Sequence, residues 1–248
     1  MNIAFQTDVG QQRDDNQDYV GTFTNDAGLT LAIIADGIGG HQGGDVASTM
    51  AVTHMGHSFE ETNVKEPIEA YQWLAMQVKN ENQAIIEKSN KYKDLNGMGT
   101  TLVAAILFQD KMVLGNIGDS RGYLLRDGKF QQLTEDHSLV NELVKKGMMT
   151  AEEAQRNPKK NIITRTLGIS KEADTDISVY RLDKNDQLLL CTDGLSNMVS
   201  DEEIAEVLSS SRSIADKCQE LIMQANQAGG PDNITVLIAD NESQEDAN

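Results

Sequence analysis

Five aspartates, Asp18, Asp36, Asp119, Asp193 and Asp232, each stand where an apolar run begins or ends. Asp36 is the plainest case. It closes Leu31-Ala-Ile-Ile-Ala35, a run short enough to be a buried strand, and Gly37, Gly39 and Gly40 follow. A charge in such a place is rarely buried unless it is paired or bound to a metal. Glycines beside it let the backbone turn and let a ligand come close. One strand-end aspartate is ordinary. Five, four of them next to Gly or Asn, are hard to account for as solvated surface.

Carboxylates crowded at one end of a sheet repel and raise one another's pKa unless cations neutralise them. Oxygen-only donors suit a hard ion, Mg²⁺ or Mn²⁺. No His/Cys cluster has the spacing of a zinc site. No Asp-x-Asp-x-Asp-Gly loop with a closing Glu is present, which disfavours a calcium-loaded structural protein. Two ions held about 3.5–4 Å apart can share a water and make hydroxide at neutral pH, a nucleophile for in-line attack on phosphorus. Arg13, five residues ahead of Asp18, reads either as a surface ion pair or as a forked donor for that phosphate. Spacing alone does not bring the five aspartates together.

The elements that must position them follow from periodicity. Residues 2–7, 19–23, 31–35, 101–108, 111–117, 122–126, 129–133, 177–182, 187–192 and 234–239 read as strands. Asp127-Gly128 has strands on both sides and is a structural hairpin turn. Asp45 to Glu60 reads as a helix, with Val46, Ala47, Met50, Ala51 and His54 sharing a face. Pro67 to Lys88 is a second helix, with Ile68, Tyr71, Ala75, Val78 and Ile85 expected on its apolar face. Thr150-x-x-Glu153 and Ser200-x-x-Glu203 carry helix-capping spacing. Ser213 to Ala228 is a further helix, stopped by Gly229-Gly230-Pro231. Residues 138–175 differ in texture and read as a flap over the main body.

The chain has 248 residues and a formal net charge of −18. So acidic a surface repels nucleic acid and anionic membrane. No signal-like or membrane-spanning run is present, so a cytoplasmic protein is expected, without membrane insertion. Cys191 and Cys218 read as reduced core residues. Residues 1–240 form one expected domain, and 241–248 a polar, disordered tail.

Seven blocks carry a resemblance. They are Thr7-Asp8-x-Gly10 with Arg13-x-x-Asn16-Gln17-Asp18, Ala35-Asp36-Gly37-Ile38-Gly39-Gly40-His41, Gly97-Met98-Gly99-Thr100-Thr101, Gly118-Asp119-Ser120-Arg121, Leu133-Thr134-Glu135-Asp136-His137-Ser138, Thr192-Asp193-Gly194-Leu195 and Gly230-x-Asp232-Asn233-Ile234-Thr235. In this order, over nearly the whole chain, the sequence resembles the type-2C metal-dependent serine/threonine protein phosphatases, in particular the small bacterial members. The resemblance implies an α+β fold, a four-layer α/β/β/α sandwich of two antiparallel sheets flanked by helices. It implies that Asp18, Asp36, the Gly37 carbonyl, Asp193 and Asp232 hold two Mn²⁺ or Mg²⁺ ions, and that Asp119 with Asp193 holds a third, looser one. It makes Arg13 the phosphate-binding arginine and residues 138–175 the variable flap. Ile38 stands where animal-type members carry a histidine, which leaves His41 as the available proton donor. Gln17 stands where many members carry a metal-shell glutamate. The expected activity is hydrolysis of phosphoserine and phosphothreonine in proteins by a monomer opposing a serine/threonine kinase. The alternative is a catalytically silent phosphoprotein-binding module.

Overall fold

The structure, a computed structural model, describes residues 1–39 and 43–241. In chain order the elements are β1 (Asn2–Asp8), β2 (Asp18–Thr24), β3 (Thr30–Ile38), α1 (Gly43–Glu60), α2 (Pro67–Lys91), β4 (Gly99–Thr100), β5 (Leu102–Leu107), β6 (Lys111–Ile117), β7 (Arg121–Arg126), β8 (Lys129–Gln132), α3 (Leu139–Lys145), α4 (Ala151–Gln155), β9 (Asp176–Arg181), β10 (Gln187–Cys191), α5 (Asp193–Ser196), α6 (Asp201–Ser209), α7 (Ile214–Gln227) and β11 (Ile234–Asp240). One antiparallel sheet runs β1-β11-β10-β7-β8. The other runs β2-β3-β5-β6-β9, with β4 added beside the end of β3.

The apolar runs are continuous because the central strands are buried on both faces. On β3, Leu31, Ile33 and Ala35 face α1 and α2. Ala32 and Ile34 face the other sheet. On β11, Ile234, Val236 and Ile238 pack under α5, α6 and α7, while Leu237 and Ala239 meet the β2-β3-β5-β6-β9 sheet. Two helix-on-sheet cores and one sheet-on-sheet core result, and this is the expected α/β/β/α order.

Local signals hold where they are chemical. Thr150 and Ser200 each accept from the backbone N–H three residues on, and Glu153 and Glu203 reach back to close the caps. Asp127 and Gly128 both have positive φ, 49° and 73°, as a tight hairpin turn of this kind requires. Cys191 and Cys218 are buried free thiols. No helix among the described residues is long and apolar enough to cross a membrane.

Four expectations need correcting. The buried face of α2 is Ala70, Trp73, Leu74, Val78 and Ile85; Ile68 and Tyr71 are exposed. Trp73 stacks edge-on against Phe59 and sets the phase of the helix. β3 does not end at Asp36, because Gly37 and Ile38 still pair with Thr100 and Gly99. The flap is shorter than 138–175: Leu167 is fully buried and exchanges backbone bonds with Thr100, and Asn82 accepts from Gly168 N and donates to Ser170 O. An apolar anchor thus returns the chain to the body by Leu167. Asn241, expected in a disordered tail, is held by Asp183 O and Asp186 O; residues 242–248 lie outside the described residues.

Candidate metal centre

β2 and β3 pair so that Asp18 lies directly opposite Asp36. Residues opposite one another on antiparallel strands share a face, and like charges there are destabilising. That face looks into the gap between the sheets, since Ile34, two residues before Asp36, packs there. Asp18 is buried. Its Oδ2 accepts from Thr192 Oγ1 at 2.9 Å and Thr235 Oγ1 at 2.7 Å, both from the opposite sheet. Its Oδ1 is buried with no partner among the described residues. Burial, with the charges of Asp193 and Asp232 behind it, pushes the Asp18 carboxyl up to about 7 against the two threonine bonds.

Asp36 is held through its backbone. Its N–H donates to Thr101 Oγ1 at 3.0 Å, and its carbonyl accepts from Thr100 Oγ1 at 2.8 Å. The carboxyl is thereby left free for the site. Burial raises its pKa well above the ordinary carboxylate range, and Asp18, Asp193, Asp119 and Asp232 raise it in turn. All four other aspartates therefore act electrostatically on Asp36. Gly37 next to it can only be glycine: a Cβ there would strike the Gly44 carbonyl at the start of α1 and the Gln17 carbonyl. The close approach, not a positive φ, fixes this residue. Gln17 itself comes close to Gly44, so its side chain lies beside the Asp36-Gly37 turn.

Asp119 follows Gly118, whose φ of +111° starts the turn after β6. Its Oδ1 is buried without a partner among the described residues. Burial, and then Asp193 and Asp136, push its carboxyl up to about 8. Asp193 was expected at the end of a strand, but it opens the one-turn helix α5. Its Oδ2 accepts from Asn197 Nδ2 at 2.9 Å. Burial and the charge of Asp232 push it up to about 6, with Arg121 acting the other way. Arg121 is itself engaged by Asp136 through a two-pronged pair and by Tyr123 Oη.

Asp232 lies on the rim. Its Oδ2 accepts from Arg13 Nη2 at 2.9 Å, and Arg13 Nε donates to Pro231 O at 3.3 Å. Arg13 is about half exposed, with side-chain accessibility of 54%. Behind this pair, the buried Asn233 donates to Val9 O and Asp15 O and accepts from Gln17 N. It ties the loop carrying Arg13 to Asp232. Asn233, Thr192 and Thr235 were not read from sequence as site residues, although each lies in a quoted block. A threonine in a strand carries no signal of its partner. His41 lies outside the described residues.

Among the described residues, no three His, Cys, Asp or Glu side chains already form a cage for one ion. Asp232 is turned to Arg13 instead. The donor set nevertheless fits hard divalent cations. Every donor is oxygen, two carboxylate oxygens are buried without a partner, and burial with mutual repulsion holds the group against ionisation. A cleft of about 920 Å³ opens beside it, lined by Asp119 and Asp193 from the body and by Val144, Ala154 and Lys160 from the flap.

The family model "Protein phosphatase 2C" matches residues 9–229. The "Serine/threonine phosphatase stp" of Listeria monocytogenes serotype 4b (strain F2365) is 46% identical over 243 residues, 97% of this chain and 96% of that one. The solved S. agalactiae serine/threonine phosphatase superposes with a TM-score of 0.92 at 44% identity, covering 96% of this chain and 98% of that one. The catalytic domain of the serine threonine protein phosphatase PstP, solved in complex with two manganese ions, superposes with a TM-score of 0.85 at 37% identity, covering 96% and 97%. Two antiparallel sheets flanked by helices, aspartates grouped around Asp36, and this likeness over almost the whole length lead to one assignment: the chain belongs to the protein phosphatase 2C family.

Proposed function

We propose that this chain hydrolyses phosphoserine and phosphothreonine in proteins, using divalent cations held by the aspartates grouped around Asp36. One observation carries the reading: Asp18 and Asp36 oppose each other in the gap between the sheets, and Asp119, Asp193 and Asp232 all act on Asp36. Buried acids of one sign in one place need cations. The relative solved with two manganese ions supports the same choice.

In this reading Asp18, Asp36, the Gly37 carbonyl, Asp193 and Asp232 hold two ions, directly or through water, and Asp119 with Asp193 holds a looser third. Bound there, Mn²⁺ or Mg²⁺ would supply an ionised water for in-line attack and would neutralise charge on the phosphoryl oxygens. Arg13 grips the phosphate. It is exposed, its fork already meets a carboxylate, and a phosphate presents the same pair of acceptors with more charge. Thr192 and Thr235 keep Asp18 aimed and favour its ionised form against burial. His41 is assigned, from its place in the sequence, to protonate the leaving seryl or threonyl oxygen. The cleft under the flap receives the peptide. The physiological counterpart is a serine/threonine kinase, and the setting is the cytoplasm of a bacterium, where the chain works as a monomer.

The test is hydrolysis of p-nitrophenyl phosphate and of a phosphothreonine peptide with and without Mn²⁺. Turnover should need the metal, vanish with chelator, and be lost in Asp36→Asn and Asp193→Ala variants that stay folded. Phosphopeptide binding without Mn²⁺-supported cleavage would identify the silent module instead.

A further inference from the structure

His137 belongs to a block that the proposed chemistry does not use, and it is buried, 5% exposed. Its backbone N–H donates to Gly118 O at 2.8 Å, and the Gly118 N–H donates back to its ring Nδ1 at 3.1 Å. A backbone N–H can only donate, so Nδ1 carries the lone pair and the ring proton sits on Nε2. Nε2 in turn faces Asp176 Oδ2 at 3.1 Å, at the start of β9. Arg165 Nη1 reaches the other oxygen of Asp176 at 3.4 Å. Two chain ends meet here. Ser138, the next residue, caps α3 where the flap leaves the body, and Thr164 N donates to the His137 carbonyl where the flap returns.

The residue that this clamp holds is Gly118, directly before Asp119. Only glycine fits this turn, since φ is +111° and a Cβ there would strike the side chain of Thr101. Both polar backbone groups of Gly118 are engaged by His137, and Asn116 Nδ2 reaches the same carbonyl at 3.5 Å. We infer that His137 is a positioning residue: from the root of the flap it fixes the Gly118-Asp119 turn, and through it the carboxylate assigned to the third ion. This rests on the reading of Asp119 given above. The ring touches neither substrate nor the reacting atoms. The same residue ties the flap root to the site, so movement of the flap ends where Thr164 and Leu139 are bonded reaches Asp119 through the backbone and ring of His137.

The test is calorimetric Mn²⁺ titration of the whole protein and four variants: Asp119→Ala, His137→Leu, His137→Asn and the double Asp119→Ala/His137→Leu. Leucine fills the space but cannot accept from Gly118. Asparagine places its Oδ1 the same number of bonds from the backbone as Nδ1, so it keeps the clamp. His137→Leu should weaken the loosest Mn²⁺ event by about ten-fold or more, as loss of a supporting residue commonly does. It should match Asp119→Ala, and the double variant should add nothing to either. His137→Asn should bind like the parent. Circular dichroism checks folding; if His137→Leu does not fold, His137→Gln, which reaches past Gly118 towards Asp176, takes its place. A merely structural histidine would lower the melting temperature of both His137 single variants and leave their isotherms like the parent's, which overturns the inference. So would an asparagine variant as weak as the leucine one. If Asp119→Ala leaves Mn²⁺ binding intact, or the parent binds none, the assignment of Asp119 itself fails, and the inference falls with it.

Discussion

Asp18 and Asp36 are cross-strand partners in the β2–β3 pair, two like charges set against each other in the gap between two sheets. The fold tolerates this pair because each is held by something other than its neighbour. Asp18 is held by hydroxyls from the far sheet, and Asp36 by the hydroxyls of Thr100 and Thr101 on its own backbone.

The first expected consequence is an unusual pH dependence without metal. Asp193, Asp18 and Asp119 bind protons up to about 6, 7 and 8 in the folded chain, against an ordinary aspartate value of 3.8. Between those limits the folded state holds more protons than the unfolded one, so stability falls as pH rises. Thermal melts in chelator should show a lower melting temperature at pH 8 than at pH 5. Mn²⁺ should raise it more at pH 8, because bound ions displace the protons. A metal-free melting temperature that climbs between pH 5 and pH 8 would contradict the carboxylate grouping.

Asp36→Asn separates stability from function. It removes the charge on which four other aspartates act. Metal-free protein should therefore melt higher than the parent at pH 7.5, while Mn²⁺-dependent turnover is lost. Differential scanning calorimetry beside a p-nitrophenyl phosphate assay reads both.

Thr235→Val keeps the shape and removes a hydroxyl that bonds Asp18 at 2.7 Å and Thr7 Oγ1 at 2.7 Å. Leaving buried polar groups without a partner costs about 1–3 kcal/mol. Urea denaturation of the Mn²⁺-loaded protein should show a loss of that size, with weaker Mn²⁺ binding by calorimetry. Unchanged metal affinity would make the threonine a packing residue only.

Arg13→Ala should raise KM for a phosphothreonine peptide several-fold and leave Mn²⁺ affinity no weaker. The guanidinium competes for Asp232 Oδ2 and does not hold the metal. Steady-state kinetics against calorimetry separates the two. A fall in metal affinity with unchanged KM would assign Arg13 to the metal shell.

Much of the site was legible because an aspartate that interrupts an apolar run is conspicuous. Asp18, Asp36, Asp119, Asp193 and Asp232 each do so. Their grouping was not legible, since it depends on β2 pairing with β3 while Thr192 and Thr235 arrive from the other sheet. The braces were hidden for a different reason. Asn233 and the threonines are ordinary in loops and strands, and the atoms they hold, backbone carbonyls for Asn233 and the Asp18 carboxylate for the threonines, lie far away in sequence. The α2 face was misread because Ile68 and Tyr71 are apolar at helical spacing, and only packing of Trp73 on Phe59 decides the phase. The one-turn helix at Asp193 is too short to leave a periodic trace. The flap's return was missed because one buried side chain, Leu167, carries it.

Cys191 ends β10 two residues before Asp193, fully buried, and burial pushes its thiol up to about 12. At neutral pH it offers almost no thiolate, and the thiolate is the form that attacks peroxide and becomes oxidised. Sulfur sits close to the chemistry here yet outside it. Oxidative stress that silences a thiol-dependent phosphatase should pass this one by, leaving dephosphorylation running while cysteine-based switches are off.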